Sequence, residues 1–233
     1  MTDYLFAPPA VVSLAIAGRS ERFPVRRIFC VGRNYAAHAR EMGADPTREA
    51  PFFFCKPTDG VIEVAAGSVG EFPYPAQTTD CHHELELVVA LHSGGTDIAV
   101  ADAASHVFGY AVGLEMTRRD LQTQAKKKGH PWEAGKAFDA SAPVGPIVPK
   151  AVTGELNRGA VTLQVNGELR QTGDLADLIW SVNETIAALS RLFRLQAGDL
   201  IFTGTPEGVG PVLRGDLMAA HIEGVGDLDV RVV

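Results

Sequence analysis

The sequence predicts a β-rich α+β fold in a single domain. Three observations lead there: strand-like runs are short and numerous, helical stretches are few, and the two do not alternate as a doubly wound sheet requires. Taken in order, VVSLAIA lies in an N-terminal β extension covering residues 1–25, and the main body of the domain spans 26–233. RRIFCVG at 26–32 is an apolar strand, followed by a helix around NYAAHAREMG with Asn34 as its N-cap and Gly43 as its stop. PFFFCK at 51–56, ELELVVAL at 84–91 and FGYAVGLEM at 108–116 continue the strands. A second helix runs from Thr117 to Gly129, where Thr117 and Asp120 form a capping-box-like start and Lys126, Lys127 and Lys128 complement the dipole as a solvated end. VTLQVNGELR is two alternating runs about an Asn-Gly turn, VNETIAALSRLFRL is the third helix, and DLIFTG and DLDVRVV complete the sheet.

Bulk properties narrow the function classes. A hydrophobic content of 46% with 21% charged residues and no repeat describes an ordinary soluble globular protein. A net charge of -7 with one basic run disfavours a nucleic-acid partner, so an anionic ligand must be attracted locally. The amino terminus carries no basic region before a short apolar stretch broken by Pro8 and Pro9, so neither a signal peptide nor a membrane span is expected. Cys30, Cys55 and Cys81 are odd in number and far apart, which suggests neither disulfides nor a thiolate metal site, and a cytoplasmic location is the default. No GxGxxG or GxxxxGK[ST] loop supports nucleotide binding.

Carboxylates supply the first chemical signal. Glu84 and Glu86 are two apart in a strand and share a face, with Leu85 and Leu87 on the other. Side-by-side carboxylates repel unless a cation lies between them, and a hard divalent ion answers that need, although an exposed strand of alternating charge is the plain alternative. His82 and His83 lack HExxH spacing, so oxygen ligation by Mg²⁺ or Mn²⁺ is preferred to zinc. Glu115 ends an apolar strand and needs a cation if buried, with Arg119 as the nearby alternative partner.

The ordered runs VGRNYAAHAREMG, FFFCKP, HHELELVVAL, GYAVGLEMTRRDLQ, PWEAGKAFDASAPVGP and GDLIFTGTPEGVGP resemble the fumarylacetoacetate hydrolase family from about residue 26 onward. The resemblance implies a mixed β-sandwich roll with a few peripheral helices. It implies Glu84, Glu86 and Glu115 as metal ligands, the last standing where the family usually has aspartate. His38 and Glu41, three apart on one helical face, match a base and its orienter that activate water in acylpyruvases. Lys136 matches an active-site lysine, Arg119 and Gln122 line the substrate cavity, and Thr205 corresponds to a residue that binds substrate carboxylate.

Within the family the short form is most like fumarylpyruvate hydrolases and acylpyruvases, which implies cleavage of a carbon–carbon bond in a diketo acid held by Mg²⁺, with His38 deprotonating water and Lys136 stabilising a pyruvate enolate. A second substrate carboxylate calls for another cation, for which Arg33, Lys56 and Arg118 are candidates. Oxaloacetate decarboxylation and the isomerase or decarboxylase reactions of homoprotocatechuate breakdown are the rival activities. A non-catalytic 2-oxo acid binding protein is the rival from another class. A homodimer is expected by resemblance alone.

Overall fold

In the computed structural model, residues 3–41 and 49–233 are described, with backbone alone at 39–41; Gly43 and the Glu41 side chain therefore lie outside the described set. Strand Leu85–Leu91 shows how the fold is assembled. Its alternate residues Leu85, Leu87, Val89 and Leu91 enter one apolar cluster, while Val88 and Ala90 enter another on the opposite face. A strand buried on both faces belongs in the middle of a sheet.

The large mixed sheet runs Phe52–Lys56, Arg27–Gly32, Asp199–Phe202, Leu85–Leu91, Val107–Leu114, Ala142–Val144, Val61–Glu63. Asp199–Phe202 is parallel to Arg27–Gly32 and antiparallel to Leu85–Leu91. A second sheet is ordered Glu168–Asp174, Ala160–Val165, Leu217–Ile222, Gly226–Val232, Val69–Phe72. Leu163, Met218, Leu228 and Val230 from this sheet share one core with Leu87, Val112 and Ile201 of the large one, which makes a β-sandwich. Truncating any of these fully buried leucines to alanine costs about 2–5 kcal/mol. The other face of the large sheet is covered by the hairpin Ser13–Ala15 and Arg22–Pro24, through Leu14 and Phe23.

The helices are peripheral. Val182–Leu192 begins with a capping box between Ser181 and Glu184. Arg119–Lys128 ends at Gly129, whose left-handed backbone (φ 65°) returns its N–H to the carbonyls of Ala125 and Lys126. Its start corrects the sequence reading. Thr117 lies in a two-residue strand paired with Cys81–His83, and Asp120 turns back to accept from Thr78 Oγ1 (2.6 Å) and Thr79 N, so no capping box forms. Asn34 does not cap its helix, Ala36–Glu41, because its amide is committed elsewhere: Nδ2 donates to the carbonyls of Trp180 and Thr203, and Oδ1 accepts from Trp180 N. Among the described residues, no helix is long and apolar enough to cross a membrane.

Candidate active site

Antiparallel register assembles the acidic centre. Leu85 pairs with Leu114 and Glu86 with Gly113, so one step further Glu84 faces Glu115, and the Glu115 N–H donates to the Glu84 carbonyl at 2.8 Å. Strand geometry puts all three carboxylates on the same side. Their ligand atoms lie within 4.8 Å of one another, and every one of these residues is buried. Gly113, opposite Glu86, leaves the space: a Cβ there would stand 2.5 Å from a methyl of Val88 and 2.9 Å from the Phe202 ring.

Three buried cations face the three acids. Arg119 donates to Glu84 Oε1 at 2.5 Å, and Lys136 Nζ bridges Glu84 Oε2 (2.7 Å) and Glu115 Oε2 (2.9 Å). Lys56 Nζ lies 3.8 Å from Glu115 Oε1 and donates to Ser141 Oγ and to the carbonyls of Met116 and Lys136. Burial opposes charge on Glu84, but Lys136 and Arg119 overcome it and hold that carboxyl well below its usual range. Glu86 is pushed the other way, by burial first and then by Glu115 and Glu84. The Lys136 ammonium is disfavoured by burial yet raised overall by Glu115 and Glu84. Lys56 is lowered by burial despite the nearby Glu115.

The same residues pass a test for metal binding. Glu115 Oε1 is buried and lacks a hydrogen-bond partner, and Glu86 resists ionising where two other carboxylates already stand. Both facts describe carboxylate groups that the three cations leave unserved. An all-carboxylate donor set is the chemistry that hard divalent cations prefer. The histidine pair takes no part: His82 Nε2 bonds Asp80 at 2.7 Å, and His83 Nδ1 bonds Gln171 Oε1 at 3.0 Å.

A loop closes the cleft over the acids. Gly204 N donates to Glu86 Oε2 at 2.6 Å; with φ at 100° and a would-be Cβ 2.7 Å from that of Asn34, glycine is required there. Thr205 Oγ1 accepts from Gln171 Nε2 (2.8 Å), which also donates to the Pro206 carbonyl, while Gln171 Oε1 accepts from Leu85 N. This network fixes the amide orientation. The Thr205 hydroxyl proton thereby remains available to the cleft, and His83 must donate from Nδ1.

The cleft is lined by Arg33, His38, Glu84, Glu86, Glu115, Arg119, Gln122, Lys136 and Thr205, so these sequence candidates converge. His38 is buried in the cleft wall. The sequence misplaced several cations. Arg119 pairs with Glu84 rather than Glu115, because the helix start is displaced by the short strand at Thr117. Lys56 is sealed among backbone carbonyls beside Glu115, and Arg118 stacks on Phe138 at 4.4 Å, so neither reaches the cleft. The run Lys126, Lys127 and Lys128 predicts a solvated helix end, but Lys126 lines the cleft while Lys127 and Lys128 are exposed. The aromatic wall of Phe52, Phe54 and Trp132 was also missed, as was buried Gln171.

Residues 27–233 match the family model described as the C-terminal region of fumarylacetoacetate (FAA) hydrolase. A fumarylpyruvate hydrolase from Pseudomonas aeruginosa, solved in complex with Mn²⁺ and pyruvate, superposes with a TM-score of 0.98 at 60% identity, covering 99% of both chains. A mitochondrial oxaloacetate tautomerase of Bos taurus is 42% identical over 207 residues, 89% of this chain and 91% of its own. A mitochondrial oxaloacetate decarboxylase of Dictyostelium discoideum is 39% identical over 206 residues, 88% of this chain and 92% of its own. The β-sandwich that holds the acidic centre is shared with the Pseudomonas aeruginosa enzyme over nearly its full length, and the chain belongs to the fumarylacetoacetate hydrolase family.

Proposed function

We propose that this enzyme hydrolyses the carbon–carbon bond of an acylpyruvate, with fumarylpyruvate as substrate and fumarate and pyruvate as products, using Mg²⁺ with Mn²⁺ as a substitute. The reading is carried by one observation: an acidic trio with an open carboxylate oxygen on Glu115 shares a cleft with His38. Its support from relatives is the Mn²⁺ and pyruvate complex of the Pseudomonas aeruginosa fumarylpyruvate hydrolase.

Glu84, Glu86 and Glu115 would hold the cation, which when bound supplies Lewis acidity toward the 2-oxo acid group. Thr205 Oγ1, its acceptor side occupied by Gln171, donates its proton to the substrate carboxylate. His38, with Glu41 one helical turn on as its orienter, takes a proton from water. The water oxygen bonds to the acyl carbonyl carbon, and the carbon–carbon bond then breaks with its electron pair on the pyruvyl methylene, which takes up the proton that His38 removed from water. The Lys136 ammonium, kept charged by Glu84 and Glu115, offsets negative charge on the pyruvyl oxygen as that pair departs. We further propose that the chain acts as a homodimer, which sedimentation measures directly.

The experiment is loss of diketo-acid absorbance for fumarylpyruvate, maleylpyruvate, acetylpyruvate and oxaloacetate, with EDTA, Mg²⁺ or Mn²⁺. Fumarylpyruvate turnover that stops on chelation and returns with metal is the expected result; unchanged turnover after thorough chelation refutes the metal-dependent reading. A second reading, favoured by the oxaloacetate relatives, takes oxaloacetate as the substrate. In that case oxaloacetate is the best substrate of the panel and His38→Ala retains activity, since no water has to be activated.

A further inference from the structure

The floor of the cleft is acidic, yet its outer wall is cationic. Arg119, Gln122 and Lys126 fall at i, i+3 and i+7 of helix Arg119–Lys128 and therefore lie on one face, which lines the cleft. Arg119 is anchored to Glu84 at the acidic end. Seven residues on, Lys126 is displaced along the axis by about 10 Å. Across from it, Arg33 holds a left-handed backbone (φ 58°), an uncommon state for a side-chain-bearing residue. Its guanidinium lies 5.5 Å from the centre of the Phe52 ring, and Phe52 meets Trp132 edge-on at 5.4 Å. The Phe52 ring in turn occupies the space where a Cβ on Gly32 would be, 2.0 Å from its nearest atom.

No acidic group among the described residues neutralises these two cations. Among the described residues, neither Arg33 nor Lys126 makes a hydrogen bond or ion pair with a carboxylate or carbonyl. The Lys126 ammonium is pushed down by partial burial and then by Arg33 and Arg119. In a chain of net charge -7, two cations converging on a cleft without a carboxylate partner among the described residues need a physical reason. An anionic ligand group supplies it.

We infer that Lys126 and Arg33 form a subsite for a carboxylate at the far end of the substrate, and that they select diacids over acylpyruvates with a neutral acyl end. The separation along the helix suits an acid whose second carboxylate is carried across the aromatic wall of Phe52 and Trp132, away from the 2-oxo acid group bound at the acidic end. This rests on the acylpyruvate reading for the orientation of the substrate. Lys56 and Arg118, both outside the cleft, take no part.

The test measures kcat/KM for fumarylpyruvate and acetylpyruvate together with calorimetric binding of pyruvate and 2-oxoadipate, a diacid with no bond for the enzyme to hydrolyse. The variants are Lys126→Gln, Arg33→Asn, whose new side chain accepts a left-handed backbone, and Lys127→Gln as an exposed control. Losing one charge-assisted contact at a half-exposed site lowers the fumarylpyruvate-to-acetylpyruvate preference about tenfold, mainly through KM. The 2-oxoadipate-to-pyruvate affinity ratio falls likewise in Lys126→Gln and Arg33→Asn and is unchanged in Lys127→Gln. Added salt narrows the preference of the unmodified enzyme. Equal losses on both members of each pair, or no 2-oxoadipate advantage in the unmodified enzyme, overturn the inference. If no acylpyruvate is cleaved, the hydrolase reading fails, and the binding ratio alone still decides the subsite.

Discussion

Replacing Lys136 by methionine deletes a buried charge while keeping most of the side-chain volume. In the folded protein Lys136 Nζ bridges Glu84 Oε2 and Glu115 Oε2 at 2.7 and 2.9 Å. Its loss leaves Glu84 with Arg119 and Glu115 with only Lys56, 3.8 Å from Oε1. Three buried acids then face two cations. Breaking a buried pair from one side costs about 3–5 kcal/mol, and the surviving Arg119 and Lys56 place this case near the lower end, about 3 kcal/mol. Metal-free Lys136→Met is therefore expected to unfold at lower urea, at constant slope, as followed through the fluorescence of Trp132 and Trp180. A divalent cation replaces the missing charge, so in Mn²⁺ the gap to the unmodified protein narrows to about half its size in EDTA. Lys136→Met/Glu115→Gln, which removes one charge of each sign, is more stable without metal than Lys136→Met. A gap of the same size with and without Mn²⁺ would refute the reasoning, because Lys136 would then not share the electrostatic role assigned to the metal.

His38→Ala is expected to lower hydrolysis by about 10²–10⁴-fold while leaving Mn²⁺ affinity in place, whereas Glu84→Ala loses both; comparable metal affinity in the two variants contradicts these roles. His83 supplies a pH prediction. Burial first, against the raising effect of its Gln171 bond, pushes its pKa down from 6.5 to about 4. A depressed histidine folds neutral, so its contribution is fully present above 6.5 and is lost as pH falls from 6.5 toward 4, by about 3 kcal/mol. His83→Gln flattens that part of the stability profile measured by urea titration; an unchanged slope means that His83 is not the group responsible.

Local periodicity and spacing made much of the fold legible. The alternation in ELELVVAL specified a strand and put Glu84 and Glu86 on one side, and the strand count specified a β-rich architecture. Partnerships across the fold were less accessible. That Glu84 faces Glu115 follows from a pairing register fixed by both cores at once, which no window of either segment contains. Thr117 has the composition of a cap, but a cross-strand pairing with His82 takes it first. Asn34 likewise looks like a cap and instead ties Trp180 to Thr203 through tertiary hydrogen bonds. Lys126 was hidden by its two neighbours, since a run of three lysines reads as solvated unless the i, i+3, i+7 relation to Arg119 and Gln122 is followed.

The pairing of Leu85–Leu91 with Val107–Leu114 also bears on how the protein reaches its native state. A slip of one residue would turn Glu86 toward the leucine face and separate Glu84 from Glu115, so a misaligned hairpin has no cluster of three acids to offer. The irregularity in this pairing falls between Ala90 and Leu91, at the end remote from the carboxylates. A cation that needs all three acids adds its binding energy to the correctly aligned sheet alone. In that sense the ligand proofreads the hairpin during folding, and refolding yields with and without Mn²⁺ report how strongly.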